Sequence, residues 1–148
     1  MFRRISLFLF LAGFSTAVLA ADSDVVEKQE QTVRLFVAAF NAHDTDAMLE
    51  MVTDDIQWLS ISGEDVATDA GNKEQLRSGM TDYFKSCSSC QSRLANMFST
   101  GTRVTALEIA SFDSDDGPQE QQSLSVYEFS GALIQRVYYF PVEKPLAE

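Results

Sequence analysis

Positive charge is scarce in this chain. Lys and Arg number 11 against 22 Asp and Glu in 148 residues, for a formal charge of −11. Phosphate recognition needs clustered cations, so the composition argues against nucleic acid or anionic lipid as partners. Histidine and cysteine are scarcer still: one His, His43, and two Cys, Cys87 and Cys90. A zinc shell is built mainly from such donors. Neither a metal site nor a cofactor is therefore expected. An apolar run long enough to span a bilayer, ~20 residues, is also missing. No internal repeat, low-complexity tract or interdomain linker occurs, so one ordinary domain is expected.

What the N-terminus does contain is a layout of its own. Arg3 and Arg4 supply positive charge, Ile5 to Phe14 is apolar apart from Ser6 and Gly13, and Val18-Leu19-Ala20 precedes Ala21-Asp22. That is the pattern of a cleavable secretory signal peptide. Residues 1–20 are expected to be removed and residues 21–148 to form the domain, in the periplasm or outside the cell. Stable membrane insertion after cleavage is not expected. The alternative is an uncleaved anchor, disfavoured by the shortness of the run. Cleavage would remove two of the few cations and leave a well-solvated acidic surface. Export places Cys87 and Cys90, spaced C-x-x-C, in an oxidising compartment, where they should pair. A redox-active C-x-x-C opens a helix in a βαβ context. This one follows a helical pattern and precedes a strand pattern, which favours a short structural staple.

The remaining chain reads as helices first and strands later, the mark of an α+β domain. A first helix is predicted from Asp24 to Asn41, with Val26, Val33, Phe36, Val37 and Phe40 on one face. Asp44 then caps a short second helix through Val52, with Ala47, Met48 and Met51 inward. Thr53 to Asp55 reads as a turn. Ile56 to Ser62 alternates as a strand, with Ile56, Trp58 and Ser60 on one face. Gly63 to Gly71 reads as irregular. Asn72 with Gln75 opens a third helix carrying Leu76, Met80, Tyr83 and Phe84. Four strand-like runs follow, at 93–99, 103–112, 122–129 and 133–140, with an acidic loop at 113–120. Pro141 cannot donate to a ladder and should end the last strand. The expected architecture is three helices packed on a strongly curved, mainly antiparallel sheet, in the order α-α-β-α-β-β-β-β, forming a cone-shaped barrel. Its mouth is where a small-molecule site would lie.

The segment Phe36-Val-Ala-Ala-Phe-Asn-Ala-His-Asp44, the run from Met48 to Asp55 and the strand with Trp58 resemble the opening of nuclear-transport-factor-2-like domains. Val126-Tyr-Glu-Phe129, Gly131, Ile134 and Arg136 to Pro141 resemble their last hairpin. The similarity is to the SnoaL-like, polyketide-cyclase-like branch. It implies the cone fold, a homodimer formed through the exposed sheet face, and no single activity, because this fold hosts many chemistries. Ketosteroid isomerases of the superfamily use an aspartate base and an oxyanion hole of tyrosine and protonated aspartic acid. Matching the segments puts Phe36, Ser60 and Ser125 at those three positions. Phenylalanine cannot donate a hydrogen bond and serine is a poor lone base, so steroid-isomerase chemistry is disfavoured. The superfamily's epoxide hydrolases use Asp-Arg-Asp; Arg93, Arg103 and Glu128 are available for such a role.

The cavity candidates are therefore Phe36, Phe40, Trp58, Ser60, Met80, Phe84, Ser125, Tyr127, Val137 and Tyr139. Trp58 is the only tryptophan and reads either as a stacking wall or as a core aromatic. Tyr127 and Tyr139 share a face with Ser125 and offer phenols to an apolar hollow. His43, of the residue type suited to proton exchange at neutral pH, sits in a turn away from the cone. Asp44, Asp54 and Asp55 read as caps and turn residues, and Glu128 as facing away from Tyr127. The leading expectation is an exported domain that binds a small hydrophobic ligand. The alternatives are a cyclase- or isomerase-like enzyme, with Tyr127 or Tyr139 polarising a carbonyl, and a dimeric interaction module.

Overall fold

The computed structural model describes residues 17–141, with side chains from 23 onward. The expected signal peptide lies outside the described residues, apart from the backbone of its last four. The first helix, α1, covers Ala17–Asn41 and so begins earlier than Asp24. The stretch Ala17-Val-Leu-Ala20, rich in helix-forming Ala and Leu, continues it backwards. Gln29, Val33, Phe36, Val37 and Ala39 form its buried face, at the spacings of three and four that one side of a helix presents.

The end of α1 is unusually well determined. His43 donates its N–H to Phe40 O at 2.9 Å and Asp44 donates to Ala39 O at 2.9 Å, while His43 takes φ 53°. That is a Schellman turn with histidine in the left-handed position usually given to glycine. The His43 ring stacks on Phe84 with centroids 4.4 Å apart. Asn41 pins the same corner to the sheet, donating from Nδ2 to Ser92 O and accepting from Ser92 N, each at 2.7 Å.

Helix α2, Thr45–Glu50, opens on Asp44, whose carboxylate accepts from Ala47 N at 2.9 Å. Strand β1 then covers Val52–Ser62, so Thr53 to Asp55 is strand and not turn. β2, Asp65–Ala70, is a strand where the sequence reads as irregular. All of its residues but Ala70 are exposed; an edge strand held mainly by its ladder leaves no alternating apolar pattern. α3, Lys73–Ser86, is capped by Asn72, which accepts from Gln75 N at 2.9 Å; Gln75 in turn accepts from Gly71 N at 2.7 Å. It buries Leu76 and Phe84. The chain finishes with β3 Gln91–Thr100, β4 Arg103–Ser114, β5 Gly117–Ser130 and β6 Leu133–Phe140. The acidic loop is thus only the Asp115-Asp116 tip of a long hairpin, with Gly117 at φ 100°.

The six strands form one sheet in the order β2-β1-β6-β5-β4-β3. Neighbours are antiparallel except β1 and β6, which run parallel. Register shifts at Trp58/Leu59, Leu94/Asn96 and Glu128/Phe129 interrupt the ladders, and such bulges bend a sheet. The sheet stays open, with β2 and β3 as edges, so it is a curved cone wall and not a closed barrel. Its concave face packs on α1 and α3 around Val33, Phe36, Met48, Val52, Ile56, Val104, Ile134 and Val137. Cys87 and Cys90 are disulfide-bonded just after α3, with Cα atoms 5.4 Å apart. Among the described residues no helix is long and apolar enough to cross a membrane.

Candidate functional site

At the open end of the cone the core stops short of filling the space, and a cavity of about 290 Å³ remains. Helix α1 contributes Phe36, Val37 and Phe40 from the stripe that buries Val33 one turn earlier. Alternation along β1 brings Trp58 and Ser60 to the concave face, and the same alternation on β5 brings Ser123, Ser125 and Tyr127. Tyr139 of β6 completes the floor. Gly79, Met80 and Tyr83 of α3 form one side of the mouth, and Asp69 of β2 the other. The rings interlock, with Phe36 6.2 Å from both Trp58 and Tyr127 and Phe40 5.9 Å from Tyr83. These are ordinary aromatic pair distances.

Eight of the ten cavity candidates line this space: Phe36, Phe40, Trp58, Ser60, Met80, Ser125, Tyr127 and Tyr139. Phe84 and Val137 do not. Phe84 is buried between His43 and Phe40. Val137 pairs in register with both Trp58 and Tyr127 and is fully buried in the core cluster that includes Phe36. The three positions matched to steroid-isomerase catalytic groups, Phe36, Ser60 and Ser125, all face the cavity.

Two carboxylates that the sequence reading did not place there also line it, Glu108 and Asp69. Glu108 belongs to the inward set Val104, Ala106, Glu108, Ala110 of β4, so strand alternation carried the information. It is only 8% exposed. One of its oxygens accepts from Tyr127 Oη at 2.6 Å, and the other from Ser92 Oγ at 2.8 Å. Burial pushes the Tyr127 phenol well above its ordinary range, and the neighbouring Glu108 charge pushes the same way. A phenol that donates to a carboxylate holds its proton, which is the third cause. Asp69 accepts from Ser60 Oγ across the β1–β2 pair. Nothing in the sequence pattern of β2 marked Asp69, because its strand was not legible.

The remaining candidates lie elsewhere. Glu128 pairs with Arg103 at 3.0 Å and with Arg136 at 3.3 Å on the convex face, and Arg93 is exposed; none of them lines the cavity. His43 is taken up by the Schellman turn and by the Cys90 carbonyl, 3.2 Å from its Nε2. Tyr83 connects the disulfide to the cavity mouth: its hydroxyl lies 3.2 Å from Cys90 Sγ. Partial burial, and then the nearby Tyr139, raise the Tyr83 phenol above its usual range. Among the described residues no three His, Cys, Asp or Glu side chains converge to hold a metal ion.

A curved sheet, two capping helices and a hollow lined from both define a cone-type α+β domain. The chain belongs to the SnoaL-like domain family, whose model matches residues 33–137. Among solved structures it is similar to a cystatin-fold protein of uncharacterised role from Novosphingobium aromaticivorans, at 26% identity and TM-score 0.64, covering 74% of this chain and 94% of that one. An NTF2-like protein of unknown function from Burkholderia pseudomallei matches at 14% identity and TM-score 0.65, covering 78% and 91%. A polyketide cyclase candidate from Xanthomonas campestris matches at 18% identity and TM-score 0.59, covering 79% and 92%. The last two similarities bear on the fold alone. No curated protein sequence matches the chain.

Proposed function

We propose that this protein is an exported binder of a small, largely apolar organic molecule, held in the cavity between α1, α3 and the concave sheet. The observation that carries the reading is a preformed hollow of about 290 Å³ walled by aromatic rings, with more apolar than polar surface facing it. That is close to the lower end of small-molecule sites, roughly 300–1,000 Å³, and matches their mostly apolar lining. Export is supported by the N-terminal layout and by the Cys87–Cys90 disulfide, which oxidising compartments favour. Native mass spectrometry of protein purified without refolding tests the binding: a retained organic mass, lost in Gly79→Phe, supports it. Gly79 lines the cavity and a Cβ there meets no atom within 4 Å, so the substitution adds bulk at the site without a clash at its Cβ. A bare mass, together with no response to any apolar probe, counts against it.

A second reading, catalysis, is favoured by one observation: Glu108 supplies a carboxylate inside the cavity. In a cyclase- or isomerase-like reaction it would take a proton from carbon next to a carbonyl. Tyr127 spends its hydroxyl hydrogen bond on Glu108, which leaves Tyr139 as the phenol to polarise the carbonyl. Incubating cyclic ketones in D2O tests this. Deuterium incorporation that disappears in Glu108→Gln supports catalysis; no incorporation above the buffer rate removes it. For partners, we propose a homodimer through the convex sheet face. Cross-strand register places Phe98 and Val126 on that side, and Phe98 is 59% exposed. Sedimentation of wild type and Phe98→Glu decides, with a monomeric wild type counting against it.

A further inference from the structure

The cavity's chemistry is one-sided. Its charged side chains are two carboxylates, Asp69 and Glu108, and among the described residues no Lys, Arg or His lines it. They stand on β2 and β4, with β1, β6 and β5 between them in the sheet. Negative charge therefore reaches the hollow from two separate walls. Around it stand six aromatic rings: Phe36, Phe40, Trp58, Tyr83, Tyr127 and Tyr139. Arg103 and Arg136 are tied to Glu128 on the convex face and do not line the cavity.

Each half of this arrangement has a consequence for the ligand. A carboxylate in a confined, mostly apolar space disfavours an anion and favours a cation, because low dielectric strengthens both effects. Glu108 is already ordered by Tyr127 and Ser92, so little reorganisation is needed when a ligand arrives. Aromatic faces attract organic cations through their quadrupoles, and rings grouped around a pocket are the arrangement that recognises quaternary ammonium groups. The overall formal charge of −11 draws cations towards the mouth and repels anions.

We infer that the cavity selects an organic cation, a hydrophobic amine or quaternary ammonium compound, whose charged head sits between the rings and the Asp69 and Glu108 carboxylates. This rests on the cavity being a binding site, and it names the chemical class that site takes.

Three probes of one skeleton test it: benzyltrimethylammonium, its uncharged carbon isostere neopentylbenzene, and the anion phenylacetate. Trp58 is the sole tryptophan and lines the cavity, so its fluorescence reports occupancy, and calorimetry gives the affinities. The expected result is that the cation binds at least about tenfold tighter than its isostere, the size of a desolvated cation–π contact. Phenylacetate should bind weakest. Asp69→Asn and Glu108→Gln keep the side-chain size, remove the charge and should each lower the ratio of cation to neopentylbenzene affinity. Equal or tighter binding of neopentylbenzene or phenylacetate overturns the inference while leaving the binding site standing. Silence from all three probes in both fluorescence and calorimetry overturns the inference and the binding reading together.

Discussion

Replacing Tyr127 by Phe removes one oxygen and tests how the polar end of the cavity is held. Tyr127 is 2% exposed and Glu108 8%, and the 2.6 Å hydrogen bond between them is joined at that carboxylate by one from Ser92. A hydrogen bond to a charged group is worth about 1.5–3 kcal/mol, and its loss leaves a buried oxygen without compensation. Tyr127→Phe should therefore cost about 2–3 kcal/mol. Glu108→Leu should cost a comparable amount, by stranding both hydroxyls. The double variant should cost clearly less than the sum, because the phenol and the carboxylate are then removed together. The coupling energy expected from this cycle is about 2 kcal/mol. Urea unfolding reads it: with slopes near 2 kcal/mol/M for a small domain, each single variant lowers the midpoint by about 1 M. Additive costs, with coupling below about 0.5 kcal/mol, would refute the claim that the two residues act as one buried unit.

Three further predictions follow from separate parts of the structure. Because the Tyr127 phenol is held above its unfolded range by burial and by Glu108, its contribution to stability is complete below about pH 10 and is lost as pH rises further. Denaturant midpoints should fall in that alkaline window for the wild type and fall less for Tyr127→Phe; equal slopes would contradict the assignment. Gly79→Ala should stabilise by about 0.5–1 kcal/mol, since the added methyl meets nothing within 4 Å and alanine is the better helix former; a lowered melting temperature would refute it. At His43, φ 53° penalises any Cβ by about 1–2 kcal/mol. His43→Ala loses the Phe84 stack and keeps that penalty, so it should be less stable than His43→Gly by about 1 kcal/mol. Equal thermal stability of the two variants would count against the strained turn.

How far the sequence reached depended on which signals were local. Caps and spacing are local, so Asp44, Asn72 and the apolar stripes of α1 and α3 were legible, as were the long strands near the C-terminus. β2 was not, because an exposed edge strand such as Asp65-Val-Ala-Thr-Asp-Ala70 carries no alternation to read. Asp69 was lost with it. Glu108 was legible in principle. It alternates with Val104 and Ala106, but a charged residue on an inward face gives no apolar signal, and its partners lie 16 and 19 residues away along the chain. Phe84 and Val137 were read as cavity residues and lie in the core instead. Whether an inward residue meets core or cavity depends on how deep it lies in the cone, and periodicity does not encode depth.

The binding claim is tested most directly by a crystal structure of the protein soaked with benzyltrimethylammonium. Electron density for the probe among Trp58, Tyr127 and Tyr139, with its head towards Glu108 or Asp69, is the result expected. A cavity that holds only ordered water at saturating probe, or that side chains have closed, would contradict the account.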